Sequence, residues 1–408
     1  MKGTKLGAPG PKEFPSWMVA LAGAVSLGVA MGIGRFSFTP ILPLMIRDGL
    51  VELQFGSSLA SANYLGYLAG AMLCMGLPRV WPSGTLVRVA LSLTVVLTLG
   101  MVVHNEVLWL ILRFVAGAVS AIGFVHTSRW CLTLLAKRGS LSLGSLIFVG
   151  VGLGIALSGL AVAGMAALGW ASSSTWIGFG ALGILLVALT WPIFGREAPP
   201  ELHHRSHAAG HKSSEKENPG EMTLFSLAYG LAGLGYIVTA TYLPVIARVT
   251  LPASDAMWLD LFWPVFGIAA VVGSILVLRV RMTFDPRWAL VACYVVQAIG
   301  VVGAIVVPTV AGFMVSSALA GLPFSAINFY AMQEVKRLRP HHEARYMGLL
   351  TALYGIGQIA GPPMVNVILG TSTNAKAGFS VALEVAAGSL VLGAVLYIVM
   401  ASKWPLKK

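Results

Sequence analysis

The sequence predicts an all-α membrane protein with twelve transmembrane helices in two pseudo-symmetric six-helix bundles. Three observations carry this reading. Hydrophobic types make up 57% of the 408 residues and charged types 10%. A soluble domain has about 25% charged residues, so this chain cannot cover a water-facing surface. Apolar runs able to cross a hydrocarbon core of about 30 Å recur twelve times along the chain. The two halves of the chain also echo each other at a nearly constant offset. Together these exclude a soluble enzyme, a disordered chain and a small disulfide scaffold. Cys74, Cys131 and Cys293 are not paired by spacing and suggest neither a disulfide framework nor a zinc site.

The first six spans read 16–46, 55–77, 85–104, 107–135, 141–169 and 175–194. The second six read 222–247, 256–278, 287–308, 310–335, 344–370 and 377–402. Lys2, Lys5 and Lys12 precede the first run. That run continues past the length of a signal peptide's core, so it reads as a membrane helix. The organisation expected is a tail at 1–15, a six-helix bundle at 16–195, a linker at 196–221, a second bundle at 222–402 and a tail at 403–408. The linker is rich in Pro, Ser, Glu, Lys and His and reads as a solvated hinge. His203, His204, His207 and His211 within it are spaced irregularly with no Cys, so no metal site is assigned.

Orientation follows from charge. Twelve spans place both termini on one face. Of the 27 Lys and Arg, 22 fall on that face; Arg47, Arg248 and Lys376 fall on the other, and Arg35 and Arg113 lie inside spans. Loops rich in Lys and Arg stay cytoplasmic, so both termini are expected in the cytoplasm of a bacterial-type cell membrane. The net charge of +12 has the same origin and does not indicate nucleic acid.

The repeat is specific. Gly32, Gly34, Leu42, Pro43 and Arg47 of span 1 return as Gly233, Gly235, Leu243, Pro244 and Arg248 of span 7, at an offset of 201. Gly152, Gly154 and Ser158 of span 5 return as Gly355, Gly357 and Gly361 of span 11, at 203. Parallel repeats about an axis along the membrane normal are a transporter plan. Small residues let helices approach closely, so the ladders of spans 5 and 11 are expected to pack against the opposite half. Gly361-Pro362-Pro363 removes two backbone donors, which predicts a bend or local opening, and Pro40 and Pro43 do the same near the end of span 1.

These residues resemble the major facilitator superfamily over nearly the whole chain. The segment Gly32-Ile-Gly-Arg-Phe-Ser-Phe-Thr-Pro-Ile-Leu-Pro-Leu-Met45, with Gly355–Pro362, is more narrowly similar to the YbfB/YjiJ-like bacterial members. Arg113-Phe-Val-Ala-Gly117 resembles the span-4 motif that the superfamily associates with proton coupling. Two departures matter. Gly76-Leu-Pro-Arg79-Val-Trp-Pro-Ser-Gly84 lacks the acid of the usual loop between spans 2 and 3. Span 5 lacks the Gly-Pro pair of drug–proton antiporters, since Ile155 follows Gly154. The resemblance implies a secondary transporter working by alternating access, not an enzyme.

The residues agree on the negative point. No His-Glu-x-x-His sequence and no phosphate-binding loop occurs, and the chain has four Asp in all. His341-His342-Glu343 reads as a solvated turn.

Polar groups inside spans nominate the site. Arg35 lies 17 residues past Met18, about 26 Å at 1.5 Å per residue, and Arg113 is two turns into span 4. Both fall in the outer third of the bilayer. Two guanidiniums at one depth with no acid nearby in sequence suit a carboxylate, sulfonate or phosphate. Arg35 is therefore expected to flank a central cleft and bind a small organic anion, with Asn63, Tyr64, Tyr67, Tyr236, Asn328, Tyr330 and Gln358 as further lining candidates. Snorkelling, carbonyl capping and helix–helix glue are the structural alternatives for these groups. Arg113, His126, Asp260 and Glu384 are the candidates for coupling to protons. Gly32, Gly34, Pro40, Pro43, Gly152, Gly154, Gly355, Gly357, Gly361 and Pro362 are assigned to packing and gating. No cofactor and no metal are expected. The partners expected are a small-molecule substrate, the lipid bilayer and protons, and the chain is expected to work as a monomer. The alternatives are an exporter of amphipathic or drug-like compounds, and a non-transporting sensor on a transporter scaffold.

Overall fold

The computed structural model describes residues 14–76, 81–140, 143–195, 218–252, 256–279, 285–339 and 343–406. Most of the expected tails and linker, Arg79, the four linker histidines, His341 and His342 lie outside the described residues. Among the described residues there are twelve long helical rods and no strand. The first six are α1 (Ser16–Arg47), α2 (Leu53–Gly76), α3 (Ser83–Gly100), α4 (Glu106–Lys137), α5 (Gly144–Ala167) and α6 (Ser172–Phe194). The second six are α7 (Pro219–Thr250), α8 (Phe262–Arg279), α9 (Pro286–Val306), α10 (Val310–Leu338), α11 (Glu343–Thr371) and α12 (Ala375–Lys403). Ten of these rods are long and apolar enough to cross a membrane. α2 has the length, at 24 residues, but carries Gln54, Ser57, Asn63, Tyr64 and Tyr67. α8 contributes the shorter apolar stretch Phe262–Val277.

Local signals place several ends. Asn105, Asp285, Thr309 and Asn374 each accept a backbone N–H from the first turn of the helix that follows, which satisfies donors a helix start leaves free. Gly139 and Gly169, at φ of 65° and 75°, close α4 and α5 in the left-handed conformation that glycine adopts without strain. The outward faces remain apolar, with Leu157, Leu185 and Val395 about half exposed, as lipid contact requires.

α1 is not a uniform helix. Residues Gly28–Phe36 form a π-helical stretch between two α-helical ends, and the Ser37 N–H donates to the Gly32 carbonyl five residues back, at 2.7 Å. The stretch is pressed on α5, where a Cβ on Gly32 would stand 2.6 Å from the Gly154 Cα.

The small-residue ladders have two faces, one toward the opposite half and one within their own half. Gly152 faces Val271 and Gly267 of α8 across that boundary, and Gly355 faces Leu68 of α2. Gly154 instead seats α1, Gly357 seats the Gly230–Gly233 turn of α7, and Gly361 receives Ile237. α11 also continues through Pro362 and Pro363 to Thr371 without opening, since surrounding helices hold a membrane helix across missing donors.

Among the described residues the halves meet chiefly along three pairs: α5 with α8, α2 with α11, and α1 with α7. On the last pair Thr39 Oγ1 donates to the Ala240 carbonyl at 2.7 Å. Those residues are 201 apart, the repeat offset itself, so equivalent positions of the two halves touch on the pseudo-twofold axis.

Candidate functional site

The π-helical stretch of α1 ends by aiming Arg35 across the boundary between halves. Its Nη2 donates to Gln358 Oε1 of α11 at 2.6 Å, and Gln358 Nε2 donates to the Tyr236 hydroxyl of α7 at 2.6 Å. Tyr236 is the repeat partner of Arg35, so here too equivalent positions converge on the axis, joined by one amide. The guanidinium lies over the ring of Tyr67 at 4.0 Å, with Tyr64 at 5.2 Å and Phe36 at 5.4 Å. Such ring faces stabilise a cation and add more when it is withdrawn from water.

Arg35 is 4% exposed. The cleft expected beside it is therefore closed over, because Gln358 and the tyrosines occupy the space. Two grooves lie elsewhere. One of about 470 Å³ runs between α3 and α6 beside Trp191, and one of about 290 Å³ lies between α7 and α11 beside Arg339 and Tyr346.

Arg113 supports this arrangement from behind. Its Nη1 and Nη2 donate to the carbonyls of Gly34 and Arg35 at 3.4 and 3.3 Å, and its guanidinium lies 4.5 Å from the Phe38 ring. Asn63 Nδ2 in turn donates to the Arg113 carbonyl at 3.0 Å. A π-helix shifts the hydrogen-bond ladder and leaves carbonyls to be satisfied from outside, and Arg113 meets that need. Among the described residues no carboxylate pairs with Arg35 or Arg113. Two buried cations thus stand against rings, an amide and backbone dipoles alone.

Further polar contacts bind the halves toward the end remote from the termini. Tyr64 pairs with Thr241 at 2.7 Å, and Tyr242 donates to Ser57 Oγ at 2.6 Å. Thr241 spends its own hydrogen on the Ile237 carbonyl, so Tyr64 is the donor in that pair.

The structure gathers Arg35, Tyr64, Tyr67, Tyr236 and Gln358 into one cluster and places Asn63 and Arg113 directly behind it. Asn328 is farther off, accepting from the Tyr229 hydroxyl at the end of a row of rings. Tyr330 packs on Phe329 instead of joining the Arg35 cluster. The coupling candidates are dispersed. His126 sits 13 residues beyond Arg113 on α4, about 20 Å along the helix, 3.5 Å from Ser83 Oγ. Asp260 is paired with Arg248. Glu384 is exposed on the outer face of α12.

Sequence reasoning missed several residues. Tyr354 stacks on Tyr236 at 5.5 Å, and Phe324 packs on Tyr236 at 5.3 Å and on Phe36 at 6.3 Å. Tyr354 immediately precedes the span-11 ladder, which was the available signal. An ionic cluster in the second half was also missed. Arg287 is fully buried; its Nε and Nη2 engage Asp285 and its Nη1 engages Glu221. Glu334 and Glu221 both accept from Arg337 at 2.7 Å. These groups read as loop charges because each lies at a span end, and only the fold brings the three helix ends together.

Known proteins share this arrangement of helices. A family model described as "Uncharacterised MFS-type transporter YbfB" matches residues 27–398. No curated protein matches the chain. Among solved structures, a mutant of the nucleoside transporter NupG is 13% identical with a TM-score of 0.71, covering 94% of this chain and 99% of its own. A D-xylose-proton symporter is 13% identical with a TM-score of 0.72, covering 93% and 96%. A bacterial homologue of the human lysosomal transporter Spinster, inward-facing and unoccupied, is 14% identical with a TM-score of 0.63, covering 96% of each chain. At these identities the likeness establishes the fold.

Proposed function

Since the chain belongs to the family of MFS-type transporters named for YbfB, we propose that it carries a small organic anion through the membrane by alternating access, binding it at Arg35 between the halves. The observation that carries this reading is the state of Arg35. It is a buried cation at the boundary of the two bundles, hydrogen-bonded to a neutral amide and paired with no carboxylate among the described residues. An anion is a stronger acceptor for a guanidinium than an amide. Because Arg35 belongs to the first half and Gln358 and Tyr236 to the second, a solute held by all three senses the separation of the halves. Rocking about that point would expose it to one side and then the other.

The bundles in this reading are 16–195 and 222–402, joined by a linker at 196–221. Both termini face the cytoplasm of the cell membrane, on the strength of the 22 Lys and Arg gathered on that side, and the chain works as a monomer. Coupling to protons is supported by the proton symporter among the structures of like fold.

Counterflow of labelled carboxylates, sulfonates and phosphate esters in proteoliposomes tests the function. We expect exchange of at least one anion, reduced tenfold or more by both Arg35→Ala and Arg35→Lys in protein that still reaches the membrane. Normal transport by either variant would remove Arg35 as the anion clamp. Binding without exchange would mark a sensor.

A further inference from the structure

We propose that the solute is an aromatic monocarboxylate whose carboxylate takes the Nε–Nη2 edge of Arg35 from Gln358 while its ring joins the row of aromatic side chains beside it. This rests on the anion reading above and narrows it.

The first support is the hydrogen-bond state of that edge. Nη2 is occupied by the neutral Gln358 oxygen, and Nε, although buried, has no partner among the described residues. An arginine presents Nε–H and Nη2–H in parallel, and a carboxylate accepts both at once. Arg287 does this in the same molecule, directing Nε and Nη2 to Asp285 at 2.9 and 2.7 Å. A buried donor left unmet is costly, so the open Nε is a place for an acceptor. Arg113 also has an unpartnered Nε among the described residues, but both its terminal nitrogens are given to α1 carbonyls of its own half, so it does not reach across the boundary.

The second support is the surface next to that edge. From Phe36 the rings run through Phe324, Tyr236 and Tyr354 to Tyr229 with successive centroids 5.1–6.3 Å apart. The row lies on the second half apart from Phe36, while Tyr67 lies under Arg35 on the first. Tyr67 and Tyr354 are both only half-buried. Aromatic pairs gain energy from ring geometry beyond the area they bury, and an aliphatic anion would leave that gain unused. A sugar or other neutral polyol would leave the Arg35 edge unmatched.

The full-length protein in lipid nanodiscs supplies the test, with binding read by calorimetry and thermal shift. The probes are benzoate, 4-hydroxybenzoate, phenylacetate and indole-3-acetate, against cyclohexanecarboxylate and pyruvate as non-aromatic anions and benzamide as a neutral aromatic. We expect at least one aromatic carboxylate to bind tenfold or more tightly than cyclohexanecarboxylate, with no measurable binding of benzamide. Arg35→Lys should weaken that binding tenfold or more, since the charge stays and the fork is lost. Gln358→Glu should abolish it, because an internal carboxylate then fills the edge. Binding of the non-aromatic carboxylates as tightly as the aromatic ones, with the same dependence on Arg35, would overturn this inference and leave the anion reading standing. Failure of every carboxylate to bind folded protein would overturn this inference, and the anion reading would fall with it if the sulfonates and phosphate esters of the counterflow assay also failed. Unchanged affinity in Gln358→Glu would overturn the assignment of the edge.

Discussion

The hydroxyls of Tyr64 and Tyr242 hold the end of the cleft remote from the termini, and their removal should open that end by a calculable amount. Tyr242 donates to Ser57 Oγ across the boundary, and Ser57 itself donates to the Leu53 carbonyl. Tyr64 donates to Thr241, whose own hydrogen goes to Ile237. Replacing either tyrosine by phenylalanine therefore removes one bond between halves without stranding a donor. The loss is the net value of a hydrogen bond, about 1 kcal/mol each, and not the larger cost of an unmet group. About 1 kcal/mol is roughly a fivefold change in an equilibrium, and two independent losses of that size give about thirtyfold. The assay is labelling of a cysteine placed at Asn366, whose side chain donates to the Gln54 carbonyl at this same end. A membrane-impermeant maleimide applied from the far side should react about five times faster in Tyr242→Phe and in Tyr64→Phe, and about thirty times faster in the double variant, as the open population rises. An unchanged labelling rate in a folded double variant would show that these bonds do not hold the closed end.

Charged groups outside the central cluster give two further outcomes. Arg287→Met should lower stability by about 3–5 kcal/mol, because it leaves Asp285 and Glu221 short of their buried counter-ion; denaturation in detergent would read this, and a loss below about 1 kcal/mol would contradict the burial of the pair. Asp48 joins the loop after α1 to the start of α6. Burial raises its pKa, but the Ser172 N–H and Arg47 outweigh that and hold the carboxyl below its ordinary value. A carboxyl depressed in the folded state stabilises above its unfolded pKa of about 3.9 and loses that contribution as pH falls through the folded value. The wild-type protein should therefore be more stable than Asp48→Asn at pH 7, and the gap should narrow only below about pH 4. A gap that is absent at neutral pH, or that closes while the solution is still well above the carboxylate range, would refute this.

Much of the architecture is legible along the chain. Charge content, apolar run lengths and the offset of about 201 residues define twelve helices and two related halves, because each is a property of composition or of periodicity along the sequence; the family came from the resemblance of the Gly32–Met45 and Gly355–Pro362 segments. The burial cost of an ion also marked Arg35 and Arg113 without help from tertiary structure. Tertiary structure alone decided how the polar groups divide. Arg35 and Gln358 are 323 residues apart, and no local pattern states that they meet. The same holds for Arg113, which faces the α1 carbonyls only because Gly28–Phe36 winds as a π-helix seated on Gly154. It holds for Glu221, Asp285 and Glu334, which look solvated one at a time and become a buried ionic cluster when three helix ends converge. Pairing energies depend on distances in three dimensions, and a linear sequence encodes those only through the packing of the whole.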